Sequence, residues 1–204
     1  GRDGWAPRGL TADLEPGRLT VLTGPNGSGK STVLAALLGL ETLDEGEIRI
    51  GGVPLAEVDL DGFRSRVAWL PQQPVVVPGT VAENLALFGE PEPERLAAAC
   101  AATGFDDVLA DLPNGFDSVL GAGGAGLSAG QRQRLALTRV LAAPADLLLL
   151  DEPTAHLDDV GEQQVLAALD ARAGAGATVL MVAHHRPAVS VGDRIVDLTG
   201  ATHV

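Results

Sequence analysis

The chain has 204 residues, 46% hydrophobic and 20% charged, enough to bury a core of ordinary domain size, which excludes a wholly disordered chain. Its 14 basic and 27 acidic residues sum to −13, which argues against a sequence-blind nucleic-acid binder, because that task needs many Lys and Arg to neutralise phosphates. The single cysteine, Cys100, excludes an internal disulfide, and no apolar run reaches the roughly 18 to 20 residues that cross a bilayer.

Elements follow in chain order. Leu19-Thr20-Val21-Leu22-Thr23 is β-prone and leads through a Gly-rich turn into Ser31 to Leu40, whose apolar residues suit a buried helix. Glu47 to Gly52 together with Arg66 to Leu70 reads as a small strand-rich patch. Gly79 to Ala110 and Gln131 to Ala142 read as helices, which predicts a helical insertion between about Pro74 and Gly130. Cys100, in an Ala-rich stretch, reads as a small buried apolar residue. Gly121 to Gly126 is a flexible loop by composition. Asp146 to Leu150 is an apolar strand ending in Asp151-Glu152, and Thr178 to Ala183 is another ending in His184-His185. Continuous apolar runs of this kind suit parallel strands covered on both faces. The expected fold is α/β, with a mostly parallel sheet, a small antiparallel β patch and the helical insertion, and the ligand beyond the carboxyl ends of the strands. The opening Gly1-Arg2-Asp3-Gly4 has no signal-peptide pattern and leads almost at once into domain-like sequence. The chain is therefore expected to be a soluble segment of a longer polypeptide.

Gly24-Pro25-Asn26-Gly27-Ser28-Gly29-Lys30-Ser31-Thr32 fits the phosphate-loop pattern between a strand and a helix. Its glycines let backbone N–H groups converge on phosphate oxygens, the helix N-terminus adds its positive dipole end, and Lys30 supplies a compact charge. Lys30 is also the only lysine in the chain. Ser31 would hold Mg²⁺. Asp151, delivered by an apolar strand, is a second candidate Mg²⁺ ligand, and Glu152 is the candidate that polarises the attacking water.

Leu127-Ser128-Ala129-Gly130-Gln131 resembles the signature of the ATP-binding-cassette (ABC) ATPases, LSGGQ, with Ala129 as the one departure. The following Arg132 to Leu141 resembles that family's signature helix. Leu150 to Asp158 (LDEPTAHLD) resembles its Walker B and D-loop. The resemblance implies a P-loop NTPase core that binds ATP and Mg²⁺ and works as a head-to-tail dimer with a second ABC ATPase domain, possibly in a heterodimer. Ser128, Gly130 and Gln131 of one domain would then close over the phosphate held by the other. It further implies that Gln72, in a Q-loop with Gln73 as the register alternative, reaches Mg²⁺ and water. His184, preferred to its neighbour His185, would hold the γ-phosphate, and Asp158 would communicate across the dimer. Trp5, the only aromatic upstream of the phosphate loop, either stacks on adenine or simply packs.

Val77 to Leu85 and Leu112 to Gly121 resemble exporter-type cassettes, although Ala122 stands where exporters usually carry an acid. Within exporters, Ala155-His156-Leu157-Asp158 and His185-Arg186-Pro187-Ala188 resemble the heterodimeric exporter of cysteine and glutathione needed for cytochrome bd assembly. The implied partner is a transmembrane domain, in the same chain or a separate subunit, at the cytoplasmic face of the plasma (inner) membrane. No nucleic-acid partner is expected. A soluble non-transport ABC ATPase and a regulatory half of an asymmetric heterodimer are the alternatives.

Overall fold

The computed structural model describes residues 7, 9–155, 157–183 and 192–198. Five strands form one parallel sheet: β1 (Leu19–Thr23), β4 (Val67–Leu70), β7 (Leu147–Asp151), β8 (Thr178–Val182) and β9 (Arg194–Asp197). Their order is β4-β7-β8-β1-β9. Each of the three inner runs is apolar on both faces because both faces are covered. Leu19, Val21, Leu148, Leu150, Val179 and Met181 enter one core. Leu22, Leu149, Leu180 and Val182 enter the core on the other side, as the two-residue alternation of strand side chains requires.

Helix α1 (Lys30–Leu37) covers the second face with Leu34, and the short α2 (Leu60–Arg64) adds Phe63 at the same core. The first face is covered by α6 (Ala129–Ala142) and α7 (Asp159–Gly174), with α4 (Pro93–Thr103) packed on α6. α4 and α6 are also joined by a buried hydroxyl pair, Thr103 Oγ1 to Thr138 Oγ1 at 2.6 Å. A separate apolar cluster forms around Phe105 from α3 (Val81–Leu85), α4, α5 (Phe105–Asp111) and the front half of α6, through Val81, Leu85, Cys100, Val108 and Leu135. Cys100 is buried there, and burial, followed by the neighbouring Asp106, pushes its thiol up to about 11. It is a packing residue rather than a nucleophile.

Two expectations need correction. The run Arg66 to Leu70 does not join the small patch: Val67–Leu70 is β4, paired in parallel with Leu147 to Leu150 at the edge of the large sheet. Val67, Ala68 and Leu70 are all buried, so the strand needed a partner inside the core, whereas the segment near Gly52 is exposed. The antiparallel patch is instead β2 (Arg49–Ile50) with β3 (Val53–Pro54), and a second small pair joins β5 (Gly79–Thr80) to β6 (Val119–Leu120). Gly121 to Gly126 is not an open loop either. Gly121 N donates to Ala125 O, Gly124 N to Gly121 O and Leu127 N to Gly124 O, closing a compact turn immediately before α6.

Helix starts also shift by one or two residues. α1 opens at Lys30 and α6 at Ala129, because Gly29 and Ser128 take the N-cap positions. β9 escaped sequence detection, since its four residues are mostly exposed. It is held beside β1 by backbone pairing, and at its entry Asp193 Oδ2 accepts from Leu19 N at 3.0 Å.

Candidate active site

Beyond the carboxyl end of β1 the chain turns through the phosphate loop into α1. Gly24, Gly27 and Gly29 have φ of +150°, +82° and +94°, conformations that side chains with a Cβ resist. Gly29 caps α1 without any side-chain hydrogen bond, and no acidic residue stands in the first turn. The N–H groups of that turn are thereby left for an anion. Gly24 has no room for a side chain: a Cβ there would lie 2.9 Å from Ser28 Oγ and 3.0 Å from Leu198 Cβ. Leu198 directly follows β9, so the missed strand braces the loop. Gly24→Ala is expected to cost about 1–3 kcal/mol of stability and to abolish the rise in thermal midpoint that Mg-ATP gives the wild-type chain, as read by thermal unfolding with and without nucleotide.

Lys30 points back across the loop. Its Nζ donates to Gly24 O at 2.9 Å and Pro25 O at 2.8 Å, and the residue is 7% exposed. Burial lowers its pKa, while Glu152 and then Asp151 act in the opposite direction. The ammonium is thus held by two carbonyls and faced by two carboxylates, over a loop whose open side is formed by the exposed Pro25, Asn26 and Gly27. A phosphate oxygen at this place would offer the ammonium a full negative charge, a stronger acceptor than either carbonyl.

Ser31 Oγ donates to Asp151 Oδ2 at 2.8 Å. This bond joins the first turn of α1 to the end of β7 across 120 positions of sequence. A hydroxyl and a carboxylate oxygen side by side are the hard donors that Mg²⁺ takes, and few are needed because that ion keeps waters and phosphate oxygens in its shell. The residues present fit the ion. Thr32 is exposed on the same turn.

Glu152 is the only described non-glycine residue with positive φ, at 53°. Its N–H still donates to Val182 O at 3.2 Å, and its own carbonyl accepts from Ala155 N at 3.1 Å. The backbone leaves the ladder abruptly at this residue, a strained left-handed turn of the sort that is retained where a side chain must be aimed. Nothing in the residue types around Glu152 announces that conformation. The turn is pinned on its far side by Thr154 Oγ1, which donates to Glu162 Oε1 of α7 at 3.1 Å.

Gln72 and Gln73 are both exposed just past β4. β4 lies beside β7 with Leu70 opposite Leu150, so Gln72 emerges at the same end of the sheet as Asp151. Lys30, Ser31, Asp151, Glu152 and the Gln72 segment therefore share one end of the sheet. His184 would follow directly on Ala183, but His184, His185, His156 and Trp5 lie outside the described residues.

The signature stands apart. Ser128 caps α6 in a reciprocal box: Gln131 N donates to Ser128 Oγ at 3.2 Å and Ser128 N donates to Gln131 Oε1 at 2.8 Å. The backbone uses Ser128 Oγ as an acceptor, which leaves the hydroxyl proton as a donor on an exposed helix N-terminus. A Cβ on Gly130 would meet nothing within 4 Å. Asp158 is likewise a cap, accepting from Gly161 N at 2.8 Å at the start of α7. Among the described residues no hydrogen bond or ion pair joins Ser128, Gly130, Gln131 or Asp158 to the phosphate loop.

The profile of the family described as ABC transporter matches residues 7–155. The chain belongs to the ABC transporter family. It is an ATPase domain of that family, and the ATP-bound structure of a bacterial Atm1-family ABC exporter superposes with a TM-score of 0.86 at 32% identity, covering 98% of this chain and 35% of that one. The mycobactin import ATP-binding/permease protein IrtB of Mycolicibacterium smegmatis is 41% identical over 92% of this chain and 32% of its own length. The ATP-dependent lipid A-core flippase of Burkholderia orbicola is 39% identical over 93% of this chain and 32% of its own length. The chain spans about a third of the length of these relatives. Among the described residues no helix is long and apolar enough to cross a membrane.

Proposed function

We propose that this ABC ATPase domain is the motor of an exporter, working as a head-to-tail pair in which each phosphate loop faces the signature of the other domain. The observation that supports the pairing is the division of the site. Lys30, Ser31, Asp151 and Glu152 gather at one end of the sheet, while Ser128 stands exposed on a capped helix, and among the described residues no hydrogen bond joins it to the phosphate loop. Two copies, or a copy and a related partner, bring the halves together.

In the proposed mechanism Gly24 to Thr32 wrap the phosphates with backbone N–H groups and Lys30 neutralises their charge. Mg²⁺, when held by Ser31 and Asp151 with Gln72 nearby, supplies further charge neutralisation on the phosphates. Glu152 orients the attacking water and accepts its proton, and His184 steadies the γ-phosphate. Ser128, Gly130 and Gln131 of the second domain cover the phosphate, and Asp158 lies where the two domains touch. Catalysis of this type rests on positioning and electrostatics. Trp5 stacks on adenine in this reading.

The motor is placed at the cytoplasmic face of the plasma membrane, coupled to a transmembrane domain carried by the same polypeptide. The fused arrangement is supported by the share of each relative that this chain spans. The formal charge of −13 supports a partner other than nucleic acid. For cargo, the stretches Ala155 to Asp158 and His185 to Ala188 support export of cysteine or glutathione. Relatives of similar identity are named for mycobactin import and for lipid A-core flipping. ATP-driven uptake of labelled glutathione into inside-out vesicles containing the intact transporter tests this reading. Uptake that depends on ATP and stops with vanadate is expected, and ATP turnover without thiol uptake would overturn the cargo.

A further inference from the structure

Arg139 stands in the middle of α6, only 2% exposed. Among the described residues no carboxylate pairs with it, and burial lowers its guanidinium to about 10. Taking a cation out of water without a counter-ion is unfavourable, and an apolar residue of similar volume often serves a fold equally well. What the guanidinium does in its place is specific. Its Nη2 donates to Val75 O at 2.9 Å, and its plane carbon lies 5.4 Å from the centre of the Phe88 ring. Val75 is itself 57% exposed, so water can reach that residue. The bond's distinctive effect is therefore to fix where the segment lies.

The same segment is clamped from two further directions. Asn84, fully buried in α3, accepts from Val77 N and donates to Val77 O, both at 2.9 Å. Val76 packs at Gly124, where an added Cβ would come within 3.2 Å of Val76 Cβ and 2.7 Å of Arg132 Cδ. Residues 75–77 are thus bound to α3, to α6 and to the turn that leads into Ser128. Three residues earlier the chain belongs to the other body: Gln72 and Gln73, exposed between Pro71 and Pro74, leave β4 of the large sheet.

We infer that Arg139 is a positioning residue for ATP hydrolysis, holding Val75 so that the Gln72 end of β4 and the Ser128 end of α6 keep a fixed spacing when they meet the phosphates. This rests on the role of Gln72 proposed above. Arg139→Met keeps an unbranched apolar stem that fills the inner part of the same space and removes the bond. In the intact protein it is expected to lower kcat about tenfold with KM for ATP within about twofold and the thermal midpoint nearly unchanged, the pattern of lost alignment rather than lost binding. Arg139→Lys, which retains a donor, is expected to recover at least about a third of kcat. Adding Arg139→Met to Gln72→Ala should cost little more than Gln72→Ala alone, because the two act on one element. If the methionine variant does not fold, Arg139→Gln is read for the same split between kcat and KM. A normal kcat in the folded variant, a rise in KM that accounts for the loss, or losses that multiply in the double variant would overturn the inference. A deficient Gln72→Ala with a normal Arg139→Met removes this inference alone, whereas a normal Gln72→Ala removes the Gln72 role and this inference with it.

Discussion

Glu152→Gln is expected to lower kcat for ATP by about 10²- to 10⁴-fold, the range that loss of a positioned general base produces. ATP affinity and thermal midpoint should stay close to wild type. The glutamine has the same shape and inherits the same left-handed backbone at φ 53°, so whatever the strained turn costs is paid in both proteins. Its N–H to Val182 O bond and the Ala155 N bond to its carbonyl involve backbone alone and survive the change. What disappears is the capacity to accept a proton from water. Steady-state ATPase assays, together with trapping of nucleotide by vanadate in the intact transporter, measure the effect. Trapping should be lost along with turnover, and a variant that hydrolyses ATP at the wild-type rate would show that another group is the base.

Lys30→Arg is expected to remove turnover almost as completely, by about 10²- to 10³-fold, as losing a charge clamp on a transferring phosphoryl group does. Both residues carry one positive charge, so the difference is shape. The ammonium sits between Gly24 O and Pro25 O at 2.9 and 2.8 Å in a loop that leaves it 7% exposed. A planar guanidinium is bulkier and needs its donors in one plane, which this narrow loop does not offer. The loop must widen, costing about 1–3 kcal/mol and displacing the glycine N–H groups from the phosphates. Circular dichroism should report a retained fold while isothermal titration reports weakened Mg-ATP binding. Normal turnover would make the solitary lysine an accident of an arginine-rich composition.

The phosphate loop and the Asp151-Glu152 pair could be recognised before any coordinates because their chemistry is local. Glycines that permit positive φ, a lysine and a hydroxyl at a helix start, and an apolar strand that ends in acids each act within a few residues of one another. β1, β7 and β8 were visible for a related reason, since burial on both faces demands an unbroken apolar run. Pairing was not visible. Val67 to Leu70 is as apolar as the inner strands, yet its partner Leu147 to Leu150 lies far along the chain, and proximity in sequence suggested the wrong neighbour. β9 carries an exposed, charged sequence and so gave no periodic signal, although Leu198 behind it sets the room available to Gly24. Gly121 to Gly126 looks flexible by composition and is closed by its own backbone bonds and by Val76 and Arg132 packed on Gly124.

By itself, then, the sequence singled out the candidates for meeting a nucleotide: Lys30, Ser31, Asp151, Glu152 and the capped signature at Ser128. These follow from residue type and short-range geometry, where a φ angle or a helix cap leaves little choice. Only the tertiary structure decided how those groups are divided. The bond from Ser31 to Asp151 joins the start of α1 to the end of β7, and a buried Arg139 ties the signature helix to the segment after Gln72. Each of these depends on contacts between residues distant in the chain, whose energies exist only once the sheet is assembled and water has been removed from between its layers.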